Sequence, residues 1–335
     1  MRGWLLAGLV AALSCQAQAA DFSALRGEVA EAPPSTSELS GITLGARYWY
    51  SIGRHDYAHN ASGFDPILGN PTSELKYTNI PASTGEIFAR YDDIETGLVA
   101  KGMFGAGGLT DGGTMNDRDW FVGQQLFSST NSSLKNSDLV YATLDVGWGA
   151  EYLTFGELQF LPFVGYGYWH DGVGIWGLTQ LPDDFGGAFY GTPPGTVLFT
   201  PNQKVGSYIA AWNMVRLGTE ATLKFTPQLS LTVDAAFVPY AQGDGDDSHL
   251  LRQQELGTKP NVLIRGHGWG TQIDAMAHYQ VTSNFSLGVG GRYWYIDASS
   301  GSMTNPVISP FGIRFPLVRF SSERYGMLAE AAYKF

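Results

Sequence analysis

Cysteine is almost absent: a single residue, Cys15, stands in a chain of 335. It lies inside the N-terminal run "MRGWLLAGLVAALSCQAQAA". There Arg2, an apolar stretch from Trp4 to Leu13 and small residues up to Ala19 have the pattern of a secretory signal with an A-x-A cleavage site. Residues 1–20 are therefore read as a cleaved signal peptide and 21–40 as a periplasmic lead-in. The rival reading, a lipoprotein signal ending at Cys15, lacks the leucine three residues earlier that such signals prefer. Cleavage after Ala19 discards the only thiol, which excludes a disulfide framework, a thiolate metal site and a cysteine nucleophile. Basic residues are scarce too, 20 Lys and Arg against 31 Asp and Glu, and a net charge of -11 repels nucleic-acid phosphates. No apolar run of about 18 residues follows the signal, so no membrane-spanning helix is expected.

What the chain has is glycine and aromatics: 43 Gly, 17 Tyr, 19 Phe and 9 Trp. That leaves a secreted β-rich protein or an outer-membrane barrel. In the closing stretch "RYGMLAEAAYKF", Tyr325, Met327, Ala329, Ala331, Tyr333 and Phe335 share one strand face and Arg324, Glu330 and Lys334 the other. "TQIDAMAHYQV" sets Ile273, Ala275, Ala277, Tyr279 and Val281 against Gln272, Asp274, His278 and Gln280, and "ITLGARYWY" repeats the rhythm. Long strands, modest apolar residues ended by Tyr and Phe, and a terminal Phe335 favour a lipid-facing barrel wall with a polar lumen. The terminal aromatic resembles the signal that barrels present to their insertion machinery. Ten strands are counted: 41–53, 73–92, 95–106, 139–152, 159–178, 205–224, 229–243, 266–281, 285–299 and 322–335. Short turns alternate with long connections at 54–72, 107–138, 179–204, 244–265 and 300–321. The expected fold is thus all-β: a ten-stranded antiparallel transmembrane β-barrel over 41–335, its long loops extracellular.

Two acidic pairs stand out in the long connections. "NDRDW" places Asp117 and Asp119 two residues apart, on one side of an extended chain, so that they repel and one tends to keep or share a proton. "DDSH" gives Asp247 and His249 the same spacing, in which a carboxylate can hold an imidazole in one tautomer for general-base work. Around a ten-stranded ring the two pairs face across the mouth. Taken singly, each is also what a solvated acidic loop looks like. "GDGDD" has oxygen ligands suited to calcium but neither the spacing nor the terminal glutamate of an EF-hand, so no metal site is assigned. His267 and His278 are read as lumen or rim hydrogen-bonders, and His170 and Asp171, as strand neighbours, as pointing to opposite faces.

With these two motifs the chain resembles the omptin family of outer-membrane proteases, which set an Asp-x-Asp followed by Trp opposite an Asp-x-His. "NDRDW" is similar to the first and "DSH" to the second. "SELKYTN" from Ser73, "LVYATLDV" from Leu139, "YQVTSNFSLGVGGRYW" from Tyr279 and the closing "YKF" are similar in the strands. The resemblance implies an endopeptidase without a covalent intermediate: His249 as general base on water, Asp247 orienting it, Asp117 and Asp119 holding water and peptide opposite. It implies no cofactor beyond lipopolysaccharide as a required lipid, a cationic peptide or protein substrate, and an outer-membrane site facing the exterior. Omptins cut beside basic residues using acids in the pocket. One such acid falls at Gly245, with Asp244 and Asp246 on either side, and Asp56 in the first connection is a candidate for the other. Arg47, Arg216 and Arg292 are not assigned to lipopolysaccharide, since alternation turns Arg47 and Arg292 to the lumen. The alternatives are a non-catalytic adhesin or structural porin-like barrel, and a lipid A hydrolase using Ser248, which extended geometry points away from His249.

Overall fold

The computed structural model describes residues 41–93, 95–108, 111–149, 153–188, 190–307 and 312–335. The expected signal peptide and lead-in lie outside the described residues. These described residues form twelve strands: β1 Gly41–His59, β2 Leu68–Asp93, β3 Leu98–Gly108, β4 Thr114–Phe121, β5 Gln125–Trp148, β6 Thr154–Phe155, β7 Leu158–Gln180, β8 Val197–Lys224, β9 Leu229–His249, β10 Leu263–Gln280, β11 Phe285–Thr304 and β12 Phe315–Lys334. One short helix, α1 (Gln253–Leu256), follows β9. No described helix is long and apolar enough to cross a membrane.

All strand pairing is antiparallel, and it runs from β1 through β2, β3, β5, β7, β8, β9, β10, β11 and β12 back to β1. A sheet that returns on itself exposes no long edge. The first half of β2 pairs with β4 and the second half with β3, and β5 divides in the same way. β4 therefore continues the wall where β3 stops. At that join Gly113 has φ +91, and a Cβ there would stand 2.7 Å from the carbonyl oxygen of Thr78, so a side chain is excluded on both counts.

The expected strands stop too early. β1 runs to His59 rather than 53, β5 begins at Gln125 rather than 139, and β9 reaches His249 rather than 243. Polar residues sit in a ladder as readily as apolar ones when both edges are paired, so the wall rises past the end of the apolar pattern. Much of the expected loop 107–138, and with it Asp117 and Asp119, is strand.

Exposure is inverted relative to a water-soluble sandwich. Met327 is 74% exposed and Arg324 0%. Ile42, Leu44, Tyr48, Tyr50, Ile273, Tyr279, Tyr325 and Tyr333 all face outward, while Trp49, Gln272 and Arg292 are buried. This is the wall of a barrel that meets lipid. The lumen is filled by ion pairs and rings. Arg292 bonds Asp274 and Glu86, both at 2.7 Å, with its guanidinium 4.8–4.9 Å from the rings of Trp294 and Trp49. Arg47 bridges Glu86 (2.9 Å) and Glu330 (2.6 Å), and Lys101 bridges Glu220 and Asp234. All five longer connections lie at one end of this wall, and the site is built there.

Candidate active site

Beyond Tyr240, the last exposed aromatic of β9, the strand continues nine residues to His249, roughly 30 Å of extended chain. Gly245, Asp247 and His249 fall on its inner face. Opposite, the register sets Asp119 beside Ser73, Asp117 beside Leu75 and Met115 beside Tyr77. Leu75 and Tyr77 are fully buried, so the face they share with both aspartates is the lumen face.

Asp247 is 1% exposed and its two oxygens are divided. Oδ2 lies 3.1 Å from His249 Nε2, and Oδ1 accepts a hydrogen bond from the Tyr77 hydroxyl at 3.2 Å. A carboxylate cannot donate, so in the neutral imidazole the proton sits on Nε2 and Nδ1 carries the free lone pair. Buried Asn261 clamps the His249 backbone, accepting from its N–H at 2.9 Å and donating to its carbonyl at 3.0 Å. Across the mouth Ser73 bonds Asp119, while Asp117 Oδ1 is buried with no hydrogen-bond partner among the described residues.

Charge links the two sides. Burial and the neighbouring Asp119 hold the Asp117 carboxyl well above its ordinary range, and burial raises Asp119 against the pull of Ser73 and His249. Burial alone would lower His249, but Asp247, by charge and hydrogen bond, and Asp117 lift it to about 9. His59 shows the contrast: equally enclosed and bonded through Nδ1 to the Tyr57 hydroxyl at 3.0 Å, it is pushed by burial down to about 4. Tyr57, Tyr77 and Tyr208 floor the site as neutral phenols, their acidity suppressed by burial and by Asp247, with Tyr77 and Tyr208 stacked at 4.2 Å.

The structure thus brings Asp117, Asp119, Asp247 and His249 into one electrostatically coupled cluster. It does not bring Asp56, Asp244 or Asp246 there. Asp56 lies on the opposite face of β1 from His55 and Tyr57, paired with Arg54 at 2.9 Å and Arg319 at 3.9 Å. Asp244 pairs with Arg265 at 3.3 Å and Asp246 accepts from Ser248 at 2.7 Å, both on the face of β9 turned away from Asp247. Strand alternation is the reason: residues at odd offsets from Asp247 and His249 leave the lumen. Gly245 does point inward, but a Cβ there would meet Ile264 at 3.1 Å and Phe320 at 3.2 Å, so apolar side chains occupy that place. Ser248 is buried on the far side from His249, away from any nucleophilic role with it. His278 bonds Glu330 (3.2 Å), His267 bonds Ser300 (2.8 Å), and His170 and Asp171 diverge to Asp138 and Arg324 respectively.

Tyr77, Asn261, Ser73 and His59 join the site without a motif of their own in the sequence. Only "YAH", Tyr57 to His59, carried a local signal, the same i, i+2 spacing as "DSH". The other three are supplied by residues 12 to 170 positions from their partners or, for Ser73, by a neighbouring strand.

No family model and no curated protein matches the sequence. Among solved structures, the outer membrane protease OmpT from Escherichia coli superposes with a TM-score of 0.64 at 14% identity, covering 88% of this chain and 97% of its own. The translocator domain of the autotransporter NalP from Neisseria meningitidis gives 0.38 at 11% identity over 88% of each chain. A Pseudomonas aeruginosa FadL homologue gives 0.34 at 10%, over 88% of this chain and 90% of its own. The first of these establishes an omptin-like outer-membrane barrel fold for the chain; at such identity it speaks to fold alone.

Proposed function

We propose that the chain is an outer-membrane endopeptidase, a barrel of ten wall positions whose exterior-facing mouth hydrolyses peptide bonds with a water activated by His249. The observation that carries this reading is the Asp247–His249 hydrogen bond facing the buried Asp117 and Asp119, which form no ion pair with Lys or Arg among the described residues. Perturbed acids and bases gathered in one cleft are the signature of a reactive site.

In this mechanism Nδ1 of His249 takes the proton of a water held between it and Asp117. Asp247 keeps Nε2 protonated and stabilises the imidazolium that forms. The raised proton affinity of Asp117 and Asp119 lets that pair retain one proton, and the protonated member donates a hydrogen bond to the carbonyl oxygen as it becomes an oxyanion. His249 then returns its proton to the departing amine. Each such group is worth about 10² to 10⁴ in rate.

The substrate on this reading is a peptide or exposed protein segment, attracted by the negative charge that Asp117, Asp119 and Asp247 together keep at the mouth. A preference for basic residues would rest on those three, since Asp56, Asp244 and Asp246 are turned away. The surrounding partner is outer-membrane lipid, with lipopolysaccharide as the lipid required for activity. The test uses refolded protein with lipopolysaccharide and quenched peptides that carry either an Arg-Arg pair or none. Wild type cleaves, and His249→Ala and Asp117→Ala remain folded with activity at least about a hundredfold lower. A His249→Ala barrel that cleaves normally, or a folded wild type that cleaves nothing, defeats the reading.

A further inference from the structure

We propose that Tyr77 is a positioning residue for the Asp247–His249 pair, its phenol fixing the carboxylate so that one defined oxygen meets the imidazole. The effect on turnover rests on the peptidase reading above; the hydrogen bond itself does not.

A carboxylate turns easily about its terminal torsion, which is broad and two-fold. Two side chains bond Asp247 among the described residues, His249 at Oδ2 and Tyr77 at Oδ1, and no Lys or Arg forms an ion pair with it. The tyrosine hydroxyl therefore fixes the plane of the carboxylate, so that its other oxygen stays aimed at His249. Tyr77 is itself immobilised. It is fully buried and stacks on Tyr208 at 4.2 Å and 25°, and Tyr208 lies 5.4 Å from the ring of His55. His55 bonds Ser322 through Nδ1 at 2.8 Å and faces Asp171 through Nε2 at 3.3 Å, and Arg324 holds Asp171 at 2.6 Å. The column from Arg324 to Asp247 thus stands on a buried ion pair. The Tyr208 hydroxyl has no hydrogen-bond partner among the described residues, so that residue contributes its ring and not its oxygen.

The test compares Tyr77→Phe with Tyr208→Phe, each losing one oxygen from the same stack. Two quantities are read for both: kcat and KM against pH with a quenched peptide, and the NMR titration of the His249 imidazole in detergent micelles. The other groups that act on His249, namely Asp117, Asp119, Asp246, Asp247, Arg252 and His59, are untouched by either change. Tyr77→Phe is expected to lower kcat about tenfold to a hundredfold, as loss of an orienting partner does, with KM within about twofold. The His249 midpoint should move upward, because the phenol no longer draws charge from the carboxylate. Tyr208→Phe should move neither. In an Asp247→Asn background Tyr77→Phe should no longer lower kcat, because there the phenol holds the amide with its NH₂ toward His249. 3-Fluorotyrosine at position 77, a stronger donor with the ring intact, should move the midpoint downward and serves if the Phe variant does not fold. An unmoved midpoint in both replacements, or an equal kcat loss without Asp247, overturns the assignment. A shifted midpoint in a barrel that cleaves no peptide leaves Tyr77 in place and removes the peptidase reading instead.

Discussion

Asp247→Asn isolates what one charge does at this mouth. Lifting an imidazole from 6.5 to about 9 corresponds to roughly 3 kcal/mol, at about 1.4 kcal/mol per tenfold change in proton affinity. Asp247 supplies more than that net figure, since burial acts against it. His59 gives the internal reference, an imidazole in the same mouth that is bonded to a phenol instead of a carboxylate and sits at about 4. With asparagine at 247 the His249 midpoint should therefore fall below 6.5. The neutral base exists above its midpoint, so the acid limb of kcat/KM should move from near 9 to below 6.5. The plateau should drop as well. Tyr77 keeps the amide oxygen and turns the NH₂ toward Nε2, which drives the ring proton to Nδ1 and blocks the base. The corresponding change in a serine-protease triad costs about 10⁴. The assay is peptide cleavage from pH 5 to 10, with heat-modifiable gel migration to show a folded barrel. A limb that stays near 9, or a plateau that survives, would refute this account of His249.

Two further outcomes follow from the same geometry. Asp56→Asn, Asp244→Asn and Asp246→Asn should leave kcat/KM for an Arg-Arg peptide within about threefold, because all three side chains leave the lumen face and are held there by Arg54, Arg265 and Ser248 respectively; a loss of a hundredfold in any one would return that residue to the mouth. Reconstituted in a planar bilayer, the barrel should show no steady pore conductance, since Arg292, Arg47 and Lys101 knit the lumen shut through paired acids; open-pore current would favour a porin-like role.

The wall was readable because its rule is local. In "RYGMLAEAAYKF" the period of two separates Met327 and Tyr333 from Arg324 and Glu330, and those residues are the exposed and the buried ones respectively. The same rule applied to "GDGDDSH" turns Asp244 and Asp246 away from Asp247, so their placement was decidable in advance; the likeness to a family motif drew attention to nearby acids instead of to the strand's phase. Strand ends were not decidable. Above the apolar belt the sequence of β4, "TMNDRDWF", reads as a polar loop and becomes a strand only because β2 and β5 offer both edges. Tyr77 was invisible for a different reason: it meets Asp247 across 170 residues, and nothing in "SELKYTN" announces a hydroxyl that points at another strand.

The two ends of the interior treat acids differently, and that contrast bears on whether the mouth is a surface or a site. In the lower lumen the carboxylates come with cations. Glu86 has Arg47 and Arg292, Glu220 has Arg90 and Lys101, Asp234 has Lys101 and Arg216, Asp274 has Arg292, and Asp171 has Arg324. A buried charge left alone is costly, so a barrel that needs only to stand will pair it or replace it. At the mouth Asp117, Asp119 and Asp247 have no Lys or Arg ion pair among the described residues; Arg252, within electrostatic reach, spends its guanidinium on Glu255 at 2.9 Å. Their compensation is a histidine, a serine and a phenol, groups that can exchange or share protons. An adhesin gains nothing from burying three such acids around an imidazole, and its binding face would sit on the rim. On the peptidase proposal they must stay unpaired, because an acid already neutralised by arginine could neither hold a proton for the oxyanion nor answer to the imidazole across the mouth.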